Sequence, residues 1–177
     1  MLNWIKHAIR GGAVKRFHTI PMIGEETVGE HSFGVAMMVL AITEQKASAD
    51  LLRAALYHDM AEQITGDSPF TAKRAFPMLK STLEIMEETW ETDNGFHVDL
   101  NERDRLLLKS ADMLQLLWRC KLQRDLGNTN VDKVFTNGVK FLNTHPLEGK
   151  APDILGWLVF NYREVTDGKW GGYIKKS

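Results

Sequence analysis

Cysteine is nearly missing from this sequence. Cys120 is the single one among 177 residues, which excludes an internal disulfide framework and any cysteine-rich zinc module. Such usage fits a reducing compartment, and the chain is read as cytoplasmic. A surplus of charge is missing as well: 22 basic side chains face 23 acidic ones for a formal net charge of −1, so no global basic field calls for a nucleic acid polymer. Long apolar runs are lacking. The longest, residues 33–42, falls well short of the ~20 residues that a spanning helix needs, and the first residues mix charged with apolar side chains where a secretory signal would show an apolar core. No membrane role is expected. Stretches with the two-residue alternation of strands are short or absent, which argues against a sheet. A GxSxG elbow and a P-loop are absent too, and Cys120 lies in a leucine-rich segment with no motif histidine beside it, so nucleophilic chemistry of those kinds has no footing.

What is present is helical spacing. Apolar residues recur at three- and four-residue intervals nearly everywhere, and the chain is long enough to bury roughly 70% of its unfolded surface. The expectation is one all-α domain over residues 1–177, a compact bundle of about six to seven helices. They are placed at 2–10, 31–46, 49–63, 71–90, 102–125, from Asn128 or Thr129 to His145, and at 151–166, on caps and apolar periodicity. A loop from Val14 to Glu30 with Pro21, Gly24 and Gly29 is longer than most connections in a compact domain and is a candidate functional loop. The helix over 151–166 carries apolar residues on much of its circumference, a candidate homo-oligomer face (dimer or hexamer), and GKWGGYIKKS at the end reads as a loosely held tail.

The chemistry-bearing residues gather in three segments. His31 opens one helix, and AALYHDMAEQITGD supplies His58, Asp59, Glu62 and Asp67. Spacings of three and four place His58, Asp59 and Glu62 toward one side of a helix. Imidazole with carboxylate is a mixed nitrogen and oxygen donor set, suited to Mn²⁺, Fe²⁺, Co²⁺ or Zn²⁺. In RLLLKSADMLQLLW, Asp112 sits inside a helix rich in leucine on all sides, where an unpaired carboxylate would cost several kcal/mol. Either an ion pair with Lys109 one turn earlier or a bound cation removes that cost, and the company of His31 and His58-Asp59 favours the cation.

The ordered pattern of EHS at 30–32, YHDMAE at 57–62 and KSAD at 109–112 resembles the HD-domain metal phosphohydrolases. The resemblance covers about Arg16 to Asn128. It implies an all-α HD-domain bundle in which His31, His58, Asp59 and Asp112 ligate a divalent transition metal (Mn, Co, Zn or Fe), with a second ion such as Mg²⁺ arriving with the substrate. RFHT at 16–19, VGEHS at 28–32, EQITGD at 62–67 followed by Pro69, and LGN at 126–128 are most similar to the small 5′-deoxynucleotidases and the phage-type deoxyadenosine triphosphate hydrolases. The former usually carry Trp after the motif arginine; Phe17 stands here, and RFHT is nearer to the phage pattern.

Roles follow for the remaining residues. Glu62, too far along to need to be a ligand, is the candidate general base. Arg16, with its planar fork, Lys73 near a helix start, and Lys109 are candidate phosphate cations; Lys109 serves equally as a structural ion-pair partner. Asp67 after Gly66 either stabilises a turn or, as the resemblance implies, binds the sugar 3′-hydroxyl, with Phe17 packed at C2′ to favour deoxyribose and Thr19 bordering the base. The leading expectation is hydrolysis of a 5′-deoxynucleotide at the α-phosphorus, with dATP and release of triphosphate preferred over a 5′-deoxynucleotidase acting on monophosphates. A non-catalytic nucleotide-binding HD domain is the third reading, disfavoured by Glu62 and Arg16.

Overall fold

The structure is a computed structural model that describes residues 2–164; the tail expected to be loosely held, and the end of the helix expected to reach 166, lie outside the described residues. Among these the chain is helical, with no strand beyond an isolated bridge between Lys15 and Thr27. In order come α1 (Leu2–Gly12), α2 (Val28–Ile42), α3 (Ala49–Tyr57), α4 (Glu62–Thr65), α5 (Phe70–Ala75), α6 (Pro77–Asn94), α7 (Glu102–Asp125), a 3-10 turn at Thr129–Val131, α8 (Asp132–Thr144) and α9 (Ala151–Glu164). The all-α reading holds, and no helix among the described residues is long and apolar enough to cross a membrane.

Helix starts follow local chemistry. Thr27 and Glu30 form a reciprocal capping box at α2, while the Ser48 and Asn101 side chains accept backbone N–H groups at the starts of α3 and α7. Two helices expected to be continuous are divided. The one over 49–63 stops at Tyr57, and the chain tightens through i→i−3 bonds from Met60 N–H to Tyr57 O (2.8 Å) and Glu62 N–H to Asp59 O (3.1 Å) before α4. Tertiary contact overrides helix propensity there: Asp59 is drawn to Arg16 at 2.6 Å, and the backbone of Met60 packs directly on Gly11 of α1. The helix over 71–90 is interrupted at Phe76 (φ −127°, ψ 87°), because the proline ring of Pro77 disfavours helical geometry at the residue before it.

The core lies between α2, α3, α7, α8 and α9. Val35, Val39 and Ile42 of α2 meet Leu51 and Ala55 of α3, Ala111, Leu114 and Leu117 of α7, and Leu142, Leu158 and Tyr162 beyond. Each fully buried Leu or Ile contributes about 1.5–3 kcal/mol. Helix α9 packs on this core through Leu155, Leu158, Val159 and Tyr162, leaving Phe160 in solvent and Trp157 stacked on Trp118. A smaller cluster of Val28, Met60 and Phe96 joins α1 to the loop after α6. The long loop from Val14 to Thr27 is tied down at both ends. Arg16 N–H bonds Glu26 O (2.9 Å) and Val28 N–H bonds Val14 O (2.8 Å). Its middle is held by the Gln123 side chain at Ile23 and by Asn128 at Pro21 O.

Candidate active site

Helices α2 and α7 lie side by side at the centre of the core, so His31 at the start of α2 and Asp112 midway along α7 are fixed by the packing around them. His58 caps α3 and Asp59 follows in the turn. The three elements converge: His31 Nε2 lies 3.2 Å from His58 Nε2, 3.3 Å from Asp112 Oδ1 and 3.5 Å from Asp59 Oδ2, and His58 Nε2 is 3.4 Å from that Asp59 oxygen. His31, His58 and Asp112 offer ligand atoms all within 4.8 Å of one another. His31 is fully buried.

Hydrogen bonds decide which ring atoms face inward. His58 Nδ1 lies 3.0 Å from Ala55 O, which can only accept, so Nδ1 carries the proton and Nε2 presents a lone pair. His31 Nδ1 lies 2.6 Å from Gln115 Oε1, and the amide of Gln115 is oriented by its Nε2 donating to Glu26 Oε1 at 3.1 Å. His31 Nε2 is therefore an acceptor too. The His31 and His58 Nε2 lone pairs and the Asp112 carboxylate form a three-residue group able to hold a divalent metal, and Asp59 lies beside it with its Oδ2 shared between the imidazoles and Arg16. The residues present thus fit a divalent metal in number, type and protonation.

The charges around the cluster are arranged to keep it anionic. Burial, the largest influence on His58, lowers its pKa and keeps the ring neutral. Burial works against ionising Asp112, but the neighbouring Lys109 ammonium outweighs it and holds the carboxyl well below its ordinary value. Lys109 Nζ donates to Asp112 Oδ2 at 2.8 Å, the ion pair expected from their spacing. Arg16 donates through Nη1 to Asp59 Oδ2 at 2.6 Å, and its Nε faces Glu26 Oε2 at 3.5 Å.

Glu62 lies at the first turn of α4, 6% exposed, with Oε2 buried and without a hydrogen-bond partner. Burial, with Asp59 and Asp67 nearby, pushes its carboxyl up to about 9, while Arg16 and Lys73 pull the other way. Lys73, on α5, thus lies within electrostatic reach of Glu62. Asp67 neither caps its own turn nor stands free: its Oδ2 accepts the Phe17 N–H at 3.1 Å, with His18 Nδ1 3.8 Å away. That bond holds Phe17 at φ 58°, a left-handed conformation unusual for a bulky residue and the sort of strain that accumulates at functional sites. The Phe17 ring lies 5.9 Å from the guanidinium carbon of Arg16. Thr19 is exposed in the turn beyond.

Glu26 and Gln115 escaped sequence reasoning. Both are buried, 4% and 7% exposed. Gln115 carried one signal, an amide three residues after Asp112 on a leucine-rich helix; Glu26, in a loop, carried none.

A family model described as 5′-deoxynucleotidase YfbR-like matches residues 3–102, a stretch that contains Arg16, His31, His58, Asp59, Glu62, Asp67 and Lys73 and ends before Lys109 and Asp112. A 5′-deoxynucleotidase of Photobacterium profundum is 25% identical over 149 residues, covering 71% of this chain and 77% of that protein. Among solved structures, the PH0347 protein of Pyrococcus horikoshii OT3 aligns with a TM-score of 0.73 at 21% identity, over 91% of this chain and 99% of that one. The cyanophage S-2L HD phosphohydrolase DatZ, solved with dA and one catalytic Zn²⁺, aligns at 0.63 and 18% identity, over 92% and 96%. With more than half its length matched, from α1 to the start of α7, the chain belongs to the YfbR-like 5′-deoxynucleotidases.

Proposed function

We propose that this protein hydrolyses 5′-deoxynucleoside monophosphates to deoxynucleoside and orthophosphate, using a divalent cation held by His31, His58, Asp59 and Asp112. The observation that carries the reading is that ligand atoms of His31, His58 and Asp112 lie within 4.8 Å of one another, with Asp59 Oδ2 beside both imidazoles. Bound there, the cation supplies Lewis acidity toward a phosphate oxygen and a water.

The protein's own residues supply the rest. Glu62, with an unpartnered buried oxygen, is the general base that receives the proton of the attacking water. Positive charge brought into the cluster favours its ionised form, as the flanking Arg16 and Lys73 already do. Arg16 and Lys109 border the cluster as fixed cations that neutralise charge gathering on the phosphoryl oxygens. Their ion pairs with Asp59 and Asp112 hold them in place before substrate arrives. Phe17, locked by Asp67, offers an aromatic face beside Arg16 for the sugar, leaving a 2′-hydroxyl no hydrogen-bond partner.

The family and the relatives favour the monophosphate over the triphosphate that the RFHT pattern pointed to. Hydrolysis of a deoxynucleoside triphosphate at the same phosphorus is the second reading. It is favoured by a cavity of about 220 Å³ lined by His58, Arg105, Leu108, Lys109 and Asp112, where two cations stand beside the cluster. Product analysis separates the two. Chelator-stripped protein is incubated with Mn²⁺, Co²⁺, Zn²⁺ or Mg²⁺ and a mixture of deoxynucleoside mono- and triphosphates beside their ribose counterparts. Orthophosphate from the deoxy monophosphates is the expected result. Inorganic triphosphate would move the assignment to the second reading, and no product with any metal would overturn both.

A further inference from the structure

The hydrogen bonds around His31 do not stop at the ring. His31 Nδ1 donates to Gln115 Oε1 at 2.6 Å and Gln115 Nε2 donates to Glu26 Oε1 at 3.1 Å. Glu26 Oε2 faces Arg16 Nε at 3.5 Å, and Arg16 Nη1 donates to Asp59 Oδ2 at 2.6 Å. Asp59 Oδ2 returns to His31 Nε2 at 3.5 Å. The contacts close a ring through α2, α7, the loop before α2 and the turn after α3. Its members are shielded from water, none of their side chains more than 20% exposed among His31, Glu26, Arg16 and Asp59. Arg119 adds a second cation to Glu26, its Nε 3.7 Å from Oε1, while its Nη2 donates to Glu25 O at 2.8 Å.

Room for this arrangement is built into α2. A Cβ placed on Gly34, one turn after His31, would lie 2.8 Å from Gln115 Cγ and 3.1 Å from its Nε2. Only glycine lets the amide stand between His31 and Glu26. Among the described residues Gln115 is the acceptor at His31 Nδ1, while Asp112 Oδ1 at 3.3 Å and Asp59 Oδ2 at 3.5 Å compete for the ring proton at Nε2, so the relay is the contact that favours the tautomer with an Nε2 lone pair turned toward His58 and Asp112.

We propose that Gln115 and Glu26 are positioning residues: Glu26 orients the Gln115 amide, Gln115 fixes the His31 ring and tautomer, and Glu26 also seats Arg16 against Asp59, so that one buried carboxylate aligns both a metal ligand and a phosphate-facing cation. The proposal rests on the metal reading of the site. Partners that orient ligating histidines are worth about 10- to 100-fold in metal affinity, and that is the size of effect expected here.

The test is calorimetric titration of the metal-stripped full chain with Zn²⁺ or Co²⁺, alongside ¹⁵N spectra of the histidine rings in the metal-free protein. The wild type should show His31 protonated at Nδ1. Gln115→Leu should weaken metal binding by about 10- to 100-fold and lose that single tautomer. Gly34→Ala removes no polar group and displaces the amide, and should move both readouts in the same direction by less. The exchanged pair Glu26→Gln with Gln115→Glu, which keeps an acceptor at His31 and a donor between the two side chains, should recover the tautomer and most of the affinity. If Gln115→Leu folds and keeps the wild-type affinity and tautomer, or if Gly34→Ala leaves both unchanged, the relay is structural only and the proposal fails. Failure of the metal reading shows differently: the wild type itself takes up no ion, and the proposal falls with it.

Discussion

Helices α2 and α7 and helices α5 and α6 all border the site, yet they are held in different ways. His31 is flanked along α2 by buried Val35, Val39 and Ile42, and Asp112 along α7 by buried Leu107, Ala111, Leu114, Leu117 and Cys120. Helix α5, which carries Lys73, buries no residue, and α6 buries only Leu83 while Phe76, Met78 and Ile85 stand exposed. The difference teaches a division of labour. His31 and Asp112, proposed here as metal ligands, sit on the helices that the core pins, whereas Lys73, proposed to meet substrate, sits on the least buried part of the fold, where local opening costs least.

That contrast can be broken at several points. The largest effect belongs to the chemical step itself. Glu62→Gln should lower kcat by about 10²- to 10⁴-fold while the metal still binds, as shown by titration; full activity in this variant would remove Glu62 from the role of base. The same substitution carries a pH signature. Glu62 holds its proton in the metal-free folded chain up to about 9, against an ordinary 4.5. The folded state therefore binds the extra proton, and its stability falls as pH rises through that window. Denaturation of metal-free protein from pH 5 to 9 should show this decline, and Glu62→Gln should flatten it.

Next come the two helix pairs. Leu117→Ala, in the middle of α7, should cost about 2–5 kcal/mol. Ile85→Ala on α6 should stay within about 0.5 kcal/mol, both read by urea unfolding. Equal costs would erase the distinction drawn above. Lys73→Ala should cost about 1 kcal/mol, read as a roughly fivefold rise in KM with unchanged kcat and unfolding midpoint.

The sequence made the candidate metal ligands legible because Asp112 interrupts a leucine-rich helix and His58-Asp59 ends an apolar one. Local context left Asp112 open to an ion pair with Lys109, and the ordered pattern with His31 assigned the set. Helix starts at Ser48 and Asn101 were legible as well, since a cap is a local hydrogen bond, whereas the helix expected over 31–46 begins at Val28 behind the Thr27 cap and ends at Ile42. The breaks at His58 and Phe76 were harder. Pro77 was a local signal passed over, but the tightening after Tyr57 depends on Arg16, 43 residues away, and no window of sequence contains both. Glu26 was invisible for that reason too: it pairs with Gln115, 89 positions away, and an isolated Glu in a loop reads as solvated. Asp67 shows the remaining difficulty. Both a turn role and a sugar contact were reasonable locally, and the bond it makes is to the backbone of Phe17, 50 residues back.

The central claim is that a divalent cation belongs where the His31, His58, Asp59 and Asp112 acceptors meet. Thermal unfolding of chelator-stripped protein, with and without added Zn²⁺ or Mn²⁺, tests it directly beside Asp112→Asn. A ligand at a hundred times its dissociation constant stabilises the folded state by about 2.7 kcal/mol. The Tm should rise with metal concentration in the wild type and stay flat in Asp112→Asn. A wild-type Tm indifferent to every divalent ion would contradict it.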